Sequence, residues 1–272
     1  MKNALVIPVY NSLLNNEEYN ICVKTWKQYC NKYNIDLYLL EGDKYINDKP
    51  DYAAMCYDRW MDIKLSPTEY DRVTFVDADT MIRWDAFDIN EVLKDNNIKI
   101  AVVHDQGGEG TAQYHFNQWL GFKPNLYSFV KGYFNAGFVS MKAIHLCKLQ
   151  KLFSFYKEYY YNEKDINCHV EGIGKIGGVR IDGMDQTAIN LALQELFPNE
   201  INFVPNIFNR QVSYIYPGDN NWIFWEDWDK FMEKMNTFEF LNEAMLFHLG
   251  GILLNRENLM KIFWENFKNK YE

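Results

Sequence analysis

Positive charge is scarce in this chain. Its 272 residues carry 28 Lys and Arg against 37 Asp and Glu, a formal net charge of -9, and no stretch gathers the cations that phosphate backbones demand, so a nucleic-acid partner is not expected. Cysteine is sparse and unpaired in pattern. Cys22, Cys30, Cys56, Cys147 and Cys168 form no C-x-x-C and no zinc spacing, and an odd total suits a reducing compartment better than a disulfide framework. No apolar run approaches the ~18 residues that span a bilayer. The opening MKNALVIPVYN has no small-residue cleavage site and reads as a first strand, not a signal peptide. These absences together predict a cytoplasmic protein without a transmembrane segment. Also missing are internal repeats, low-complexity linkers and any G-x-x-x-x-G-K-[ST] phosphate loop. GIGKIG at 172–177 matches G-x-G-x-x-G in form, but it follows no first strand of a β-α-β unit, and Asp182 comes too soon to hold a ribose.

Apolar residues are plentiful at 48%, with 17% aromatic, enough to bury the core of one compact domain over 1–272. Strand-like runs at Ala4–Val9, Ile35–Leu40, Arg72–Val76 and Ile98–Val103 alternate with helical periodicity. Tyr19, Cys22, Val23, Trp26, Tyr29 and Cys30 share one face of a helix, and a second helix spans about 52–65, stopped by Ser66-Pro67. Such alternation predicts an α/β fold with a mainly parallel sheet flanked by helices. The best seam is residue 105, where a polar glycine-rich stretch, HDQGGEGTAQ, begins. Beyond it come a strand at Phe138–Met141, a helix with Leu149, Leu152, Phe153 and Tyr156 on its apolar face, a helix from about Gln186 to Phe197, a strand near Phe203 and a final helix over 256–270. Trp222, Trp225 and Trp228 recur every third residue and read as core packing ahead of an acceptor-sugar platform. The last helix carries Leu259, Met260, Phe263, Trp264, Phe267 and Tyr271 on one face and is expected to dock on the domain.

The sharpest local feature is RVTFVDADTMI at 72–82, where a buried-looking strand ends in Asp77 and Asp79. If extended geometry persisted, both carboxylates would point one way, and at ~4 Å they would repel by about 4 kcal/mol at an effective dielectric of 20. A divalent cation resolves that conflict, and oxygen ligands suit Mn²⁺ or Mg²⁺. The plainer alternative is that the aspartates cap a turn. A third is a phosphatase motif with a nucleophilic first Asp, which needs its threonine one place later than Thr80 and a position near the first strand.

Four separated segments add a resemblance over almost the full length: VTFVDADTMI at 73–82, YFNAGFVSM at 133–141, MDQTAIN at 184–190 and FHLGG at 247–251. Their order and spacing resemble the GT-A glycosyltransferases, within them family 8, the glycogenin and bacterial galactosyltransferase group. The resemblance implies a GT-A domain whose 1–105 half binds a nucleotide-sugar and whose 106–272 half binds the acceptor. It implies a metal held by Asp77, Asp79 and His248, with Asp77 and Ala78 near the donor. Gly250 and Gly251 would let backbone approach a diphosphate, Arg59 would reach the donor, and Tyr19 would stack on uracil. Asn135, Asp185 and Gln186 would sit beside the transferred sugar. The alternatives from residue type alone are a turn asparagine at Asn135, a helix cap at Asp185, an exposed helical arginine at Arg59, a core aromatic at Tyr19 and a hydrogen-bonded core histidine at His248. The implied activity is metal-dependent transfer of a sugar from a nucleoside diphosphate donor, UDP-sugar first, to a glycan or other hydroxyl acceptor with retention. A non-catalytic sugar-binding protein is the alternative, because HLGGILLNR puts Leu254 where the family keeps a diphosphate-gripping lysine, with Arg256 as the nearest substitute.

Overall fold

A computed structural model describes residues 1–46, 48–105, 132–163, 184–211, 245–248 and 256–271. The 172–177 loop, the three spaced tryptophans, Gly250, Gly251 and Leu254 therefore lie outside the described residues, and Arg256 is described in its backbone only.

The chain opens with β1 (Lys2–Pro8), a short 3-10 turn, and α1 (Glu17–Tyr33), followed by β2 (Asp36–Leu40), the small hairpin of β3 (Tyr45–Ile46) and β4 (Lys49–Pro50), and α2 (Tyr52–Asp58). Next come β5 (Tyr70–Val76), β6 (Thr80–Ile82), α3 (Ile89–Asp95), β7 (Ile100–His104), β8 (Phe134–Lys142) and α4 (Ala143–Glu163). The remainder is α5 (Met184–Leu196), β9 (Ile201–Phe203), β10 (Arg210–Gln211), β11 (Leu246–His248) and α6 (Arg256–Tyr271). Six strands form the central sheet in the order β2-β1-β5-β8-β7-β9. All run parallel except β8, which is antiparallel to both β5 and β7. The expected mainly parallel α/β sheet flanked by helices is thus what forms, and both halves of the sequence contribute strands to it.

Strand alternation divides the core. Ala4, Val6, Val73, Phe75, Ile100 and Val102 face α2, α4 and α5, while Leu5, Ile7, Ala101 and Val103 face α1 and α3. Tyr19 is half-buried against this second core. The C-terminal helix docks on α1, with Met260 against Cys22 (3.7 Å). Phe267 of the same helix stacks on Trp84 at 4.9 Å between ring centroids. Among the described residues no helix is long and apolar enough to cross a membrane.

Three departures from the sequence expectation shape the site. The second helix stops at Asp58, not near 65. From there the chain tightens into turns (Trp60 N–H to Tyr57 O, 3.3 Å; Met61 N–H to Asp58 O, 2.8 Å), and the Gln150 side-chain amide satisfies the exposed carbonyls of Trp60 (2.9 Å) and Ile63 (2.7 Å). The strand expected from Phe138 begins at Phe134, so FNAG lies inside β8 and not in a turn before it. There the register with β7 jumps from Val102↔Val139 to Val103↔Asn135, a bulge over 136–138. Finally, Asp77–Thr80 is a turn and not extended strand, closed by Thr80 N–H (3.2 Å) and Thr80 Oγ1–H (2.6 Å) on the Asp77 carbonyl.

A candidate metal site

The carboxyl-terminal edge of a parallel sheet is where open α/β folds bind ligands. Asp77 ends β5 at that edge, Asp105 follows β7, and reversed β8 delivers Asn135 to the same edge because its beginning lies where its neighbours end. The first turn of α5 adds Asp185 and Gln186.

His248 comes from far along the chain. In a separate three-stranded sheet of order β10-β11-β6, His248 pairs with Thr80. That ladder sets its ring over the aspartate turn, with Nε2 3.3 Å from Asp77 Oδ2 and 3.4 Å from Asp79 Oδ1. The turn is itself anchored: Trp26 of α1 donates its indole N–H to Thr80 O (3.1 Å) and Oγ1 (3.0 Å). Asp77 N–H reaches the Gly137 carbonyl in β8 (3.2 Å). One ligand atom from each of Asp77, Asp79 and His248 lies within 4.8 Å of the others. Two carboxylates and an imidazole are a donor set compatible with a divalent cation. The ring fits because residue 137 is glycine: a Cβ built there would lie 2.5 Å from His248 Nδ1 and closer still to Cε1.

Arg59 is buried, 4% exposed, which removes the exposed-helix alternative. Its Nη1 pairs with Asp77 Oδ1, while Nε (2.9 Å) and Nη2 (2.6 Å) donate to Asp185 Oδ2, which also accepts the Trp60 indole N–H (2.8 Å). The guanidinium lies 4.7 Å from the Trp60 ring centroid, a cation–π arrangement. Burial pushes Asp77 up, but the Arg59 guanidinium and then His248 outweigh it and hold the carboxyl well below its usual range. For Asp185 burial wins over Arg59 and Trp60, and its pKa is raised. Burial lowers His248, yet the Asp79 and Asp77 carboxylates push it up to about 10. In this arrangement the imidazolium supplies the positive charge between the two acids.

Beside this charged cluster lies one built mostly of amides. Asn135 Oδ1 accepts Gly137 N–H (2.8 Å) and the Asn209 amide (2.9 Å), so its NH₂ faces Gln186 Oε1 (3.1 Å) and Asp105 Oδ2 (3.4 Å). Gln186 Oε1 also accepts Ala136 N–H (3.0 Å), which turns its NH₂ to Asp105 Oδ2 (2.9 Å). Both amide orientations follow from these partners. Asn190 clamps α5 to the start of β8 through Phe134 N–H (2.9 Å) and C=O (2.8 Å).

Sequence reasoning did not single out Asp105, Asn209, Trp60 or Asn190. Asp105 sits at a strand end beside a glycine-rich stretch and Asn190 closes the MDQTAIN segment, positions that could have flagged them; nothing local marks the other two. Tyr19, on α1, is partly buried against the α1-side core.

No protein-family model and no curated protein matches the chain. Solved structures do. A crystal structure of a glycosyltransferase involved in the glycosylation of the major capsid of PBCV-1 aligns at a TM-score of 0.58 with 11% identity, covering 96% of this chain and 100% of that one. The bifunctional glycosyltransferase WbbM in its apo form aligns at 0.48 with 14% identity over 92% of this chain and 46% of that one. Mouse xyloside xylosyltransferase 1 aligns at 0.42 with 11% identity, over 92% and 97% of the two chains. The first likeness shows a shared fold; the other two are too slight to add to it.

Proposed function

We propose that this protein is a metal-dependent GT-A glycosyltransferase, of family 8 type, that moves a sugar from a nucleoside diphosphate donor, UDP-sugar first, to an acceptor hydroxyl with retention. The observation that carries this reading is the convergence of Asp77, Asp79 and His248 at the carboxyl edge of the sheet. The four motifs and the fold shared with a solved glycosyltransferase support it. Asp77, Asp79 and His248 would hold Mn²⁺ or Mg²⁺, which when bound supplies charge stabilisation for a departing diphosphate.

The protein's own groups divide the remaining work. Arg59 keeps Asp77 ionised and holds one of its oxygens, leaving the other turned toward His248. Asp185 is read as the anchor of that guanidinium, because its Oδ2 accepts from Arg59 and Trp60 and its side chain is only 6% exposed. That placement favours a front-face retaining route over a covalent one through Asp185. Asp105, Asn135 and Gln186 provide a carboxylate and two oriented amides for sugar hydroxyls. The phosphatase alternative loses ground, since Asp77 has each oxygen beside a cation and ends the third strand of the sheet to appear in the sequence. A thermal-shift panel of nucleoside diphosphates with and without Mn²⁺ tests the reading: stabilisation should require both together. Equal shifts without metal would count against it, and a hydrolysis screen over UDP-, GDP- and CDP-sugars identifies the donor.

A further inference from the structure

Gly137 touches both clusters of the site. Its carbonyl accepts Asp77 N–H (3.2 Å), its N–H donates to Asn135 Oδ1 (2.8 Å), and its Cα backs the His248 ring. A Cβ at 137 would meet His248 Nδ1 at 2.5 Å and Asn135 Oδ1 at 2.8 Å, both closer than real side chains tolerate. The backbone there is not in the left-handed region, where among the described glycines only Gly42 lies. The requirement for glycine is thus one of space and not of conformation. His248 Nδ1 is buried, and no hydrogen-bond partner for it exists among the described residues. Ligating histidines are ordinarily oriented by a partner on the second ring nitrogen. Here the bare Cα of the β8 bulge stands where that partner would be, and shape does the orienting.

We infer that Gly137 is a positioning residue for the metal centre: it sets the His248 ring by steric fit, and the same atoms that do so brace Asn135 on the sugar side. The inference rests on the metal-dependent reading given above. His248 is confined between the Gly137 backbone and the two carboxylates, and within the same bulge the Gly137 N–H is taken up by Asn135 Oδ1. Metal affinity and amide orientation therefore share one backbone position.

The test is Mn²⁺ binding to the full chain, by calorimetry or by loss of the free-ion paramagnetic resonance signal, with no turnover needed. Gly137→Ala should weaken Mn²⁺ by at least about tenfold, the scale of disturbing a ligand's orientation. In a cycle with His248→Ala the two changes should be non-additive, the double variant binding no worse than His248→Ala alone. Wild-type affinity in Gly137→Ala, or a fully additive cycle, overturns the inference while leaving the metal site standing. Failure of the wild type to bind Mn²⁺ removes the function proposed above and this inference with it. Should Gly137→Ala not fold, His248→Ala/Gly137→Ala decides: recovery of the fold shows that the clash is with the ring, whereas continued failure assigns the clash to Asn135 Oδ1 and overturns the inference for His248.

Discussion

Around Asp77 the contacts run between full charges, whereas around Asn135, one strand away, they run mostly between neutral amides and backbone. Arg59, Asp77, Asp185 and His248 form an interlocked set in which the ionisation of each is shifted by its charged neighbours, Asp79 being one of those that act on His248. Asn135, Gln186 and Asn209 instead chain donors to acceptors so that each amide has one admissible orientation. The contrast teaches that the first cluster is organised by charge balance and loses most when its buried cation, Arg59, is removed. The second is organised by direction and degrades gradually, since a lost hydrogen bond costs less than an uncompensated buried ion.

The strongest way to break the comparison is Arg59→Met. With the guanidinium gone, Asp185 is a buried carboxylate without its cation, and a destabilisation of about 3–5 kcal/mol is expected in urea unfolding. Arg59→Lys should recover little, because an ammonium cannot serve two carboxylates with a planar fork. Next in size, Asp79→Asn should lower donor hydrolysis by at least about a hundredfold, roughly 2.7 kcal/mol of barrier, and abolish the Mn²⁺-dependent nucleotide shift while leaving the melting temperature near wild type. Persistence of that shift would show that the charged cluster is structural. On the neutral side, Asn135→Ala should cost about tenfold in turnover, with roughly 1–3 kcal/mol of stability lost for donors left unpaired, yet keep the Mn²⁺-dependent shift. Loss of that shift would erase the distinction drawn between the clusters.

The smallest effect lies outside both. His145 is lowered by burial against the pull of Glu200, 3.2 Å away, with Lys148 and Lys99 lowering it further. A histidine with a depressed folded pKa stabilises fully above its unfolded value of about 6.5 and loses that contribution as pH falls through the folded value. Stability should therefore decline on acidification below about pH 6.5, and His145→Asn should flatten that part of the melting curve against pH.

Much of the scaffold was legible. β1, β2, β5, β7 and α1 follow directly from apolar runs and helical spacing, because burial on a sheet face or under a helix imposes a period that the chain must carry. The short pieces were not: β6, β10 and β11 span two or three residues and bear no periodic signal, and α3 was passed over although Asp88 caps it. In the site, Asp77 and Asp79 stood out by type and neighbourhood, while Asn135, Asp185, Gln186 and His248 were reached through the family resemblance. Asn209 did not stand out, since an asparagine after the short 3-10 turn Asn206–Phe208 looks like any other until its amide is seen on Asn135.

The amino-acid order by itself determined the alternation of strands and helices, the acidic pair at a strand's end and the glycine at 137, all properties of near neighbours. Only the tertiary structure decided that His248 would lie over Asp77, that Arg59 would be swallowed between two acids, and that Asp185 would face inward. Those depend on pairing and burial between segments more than a hundred residues apart for Arg59 and Asp185, and free energies of that kind arise from enclosure, which no local pattern encodes.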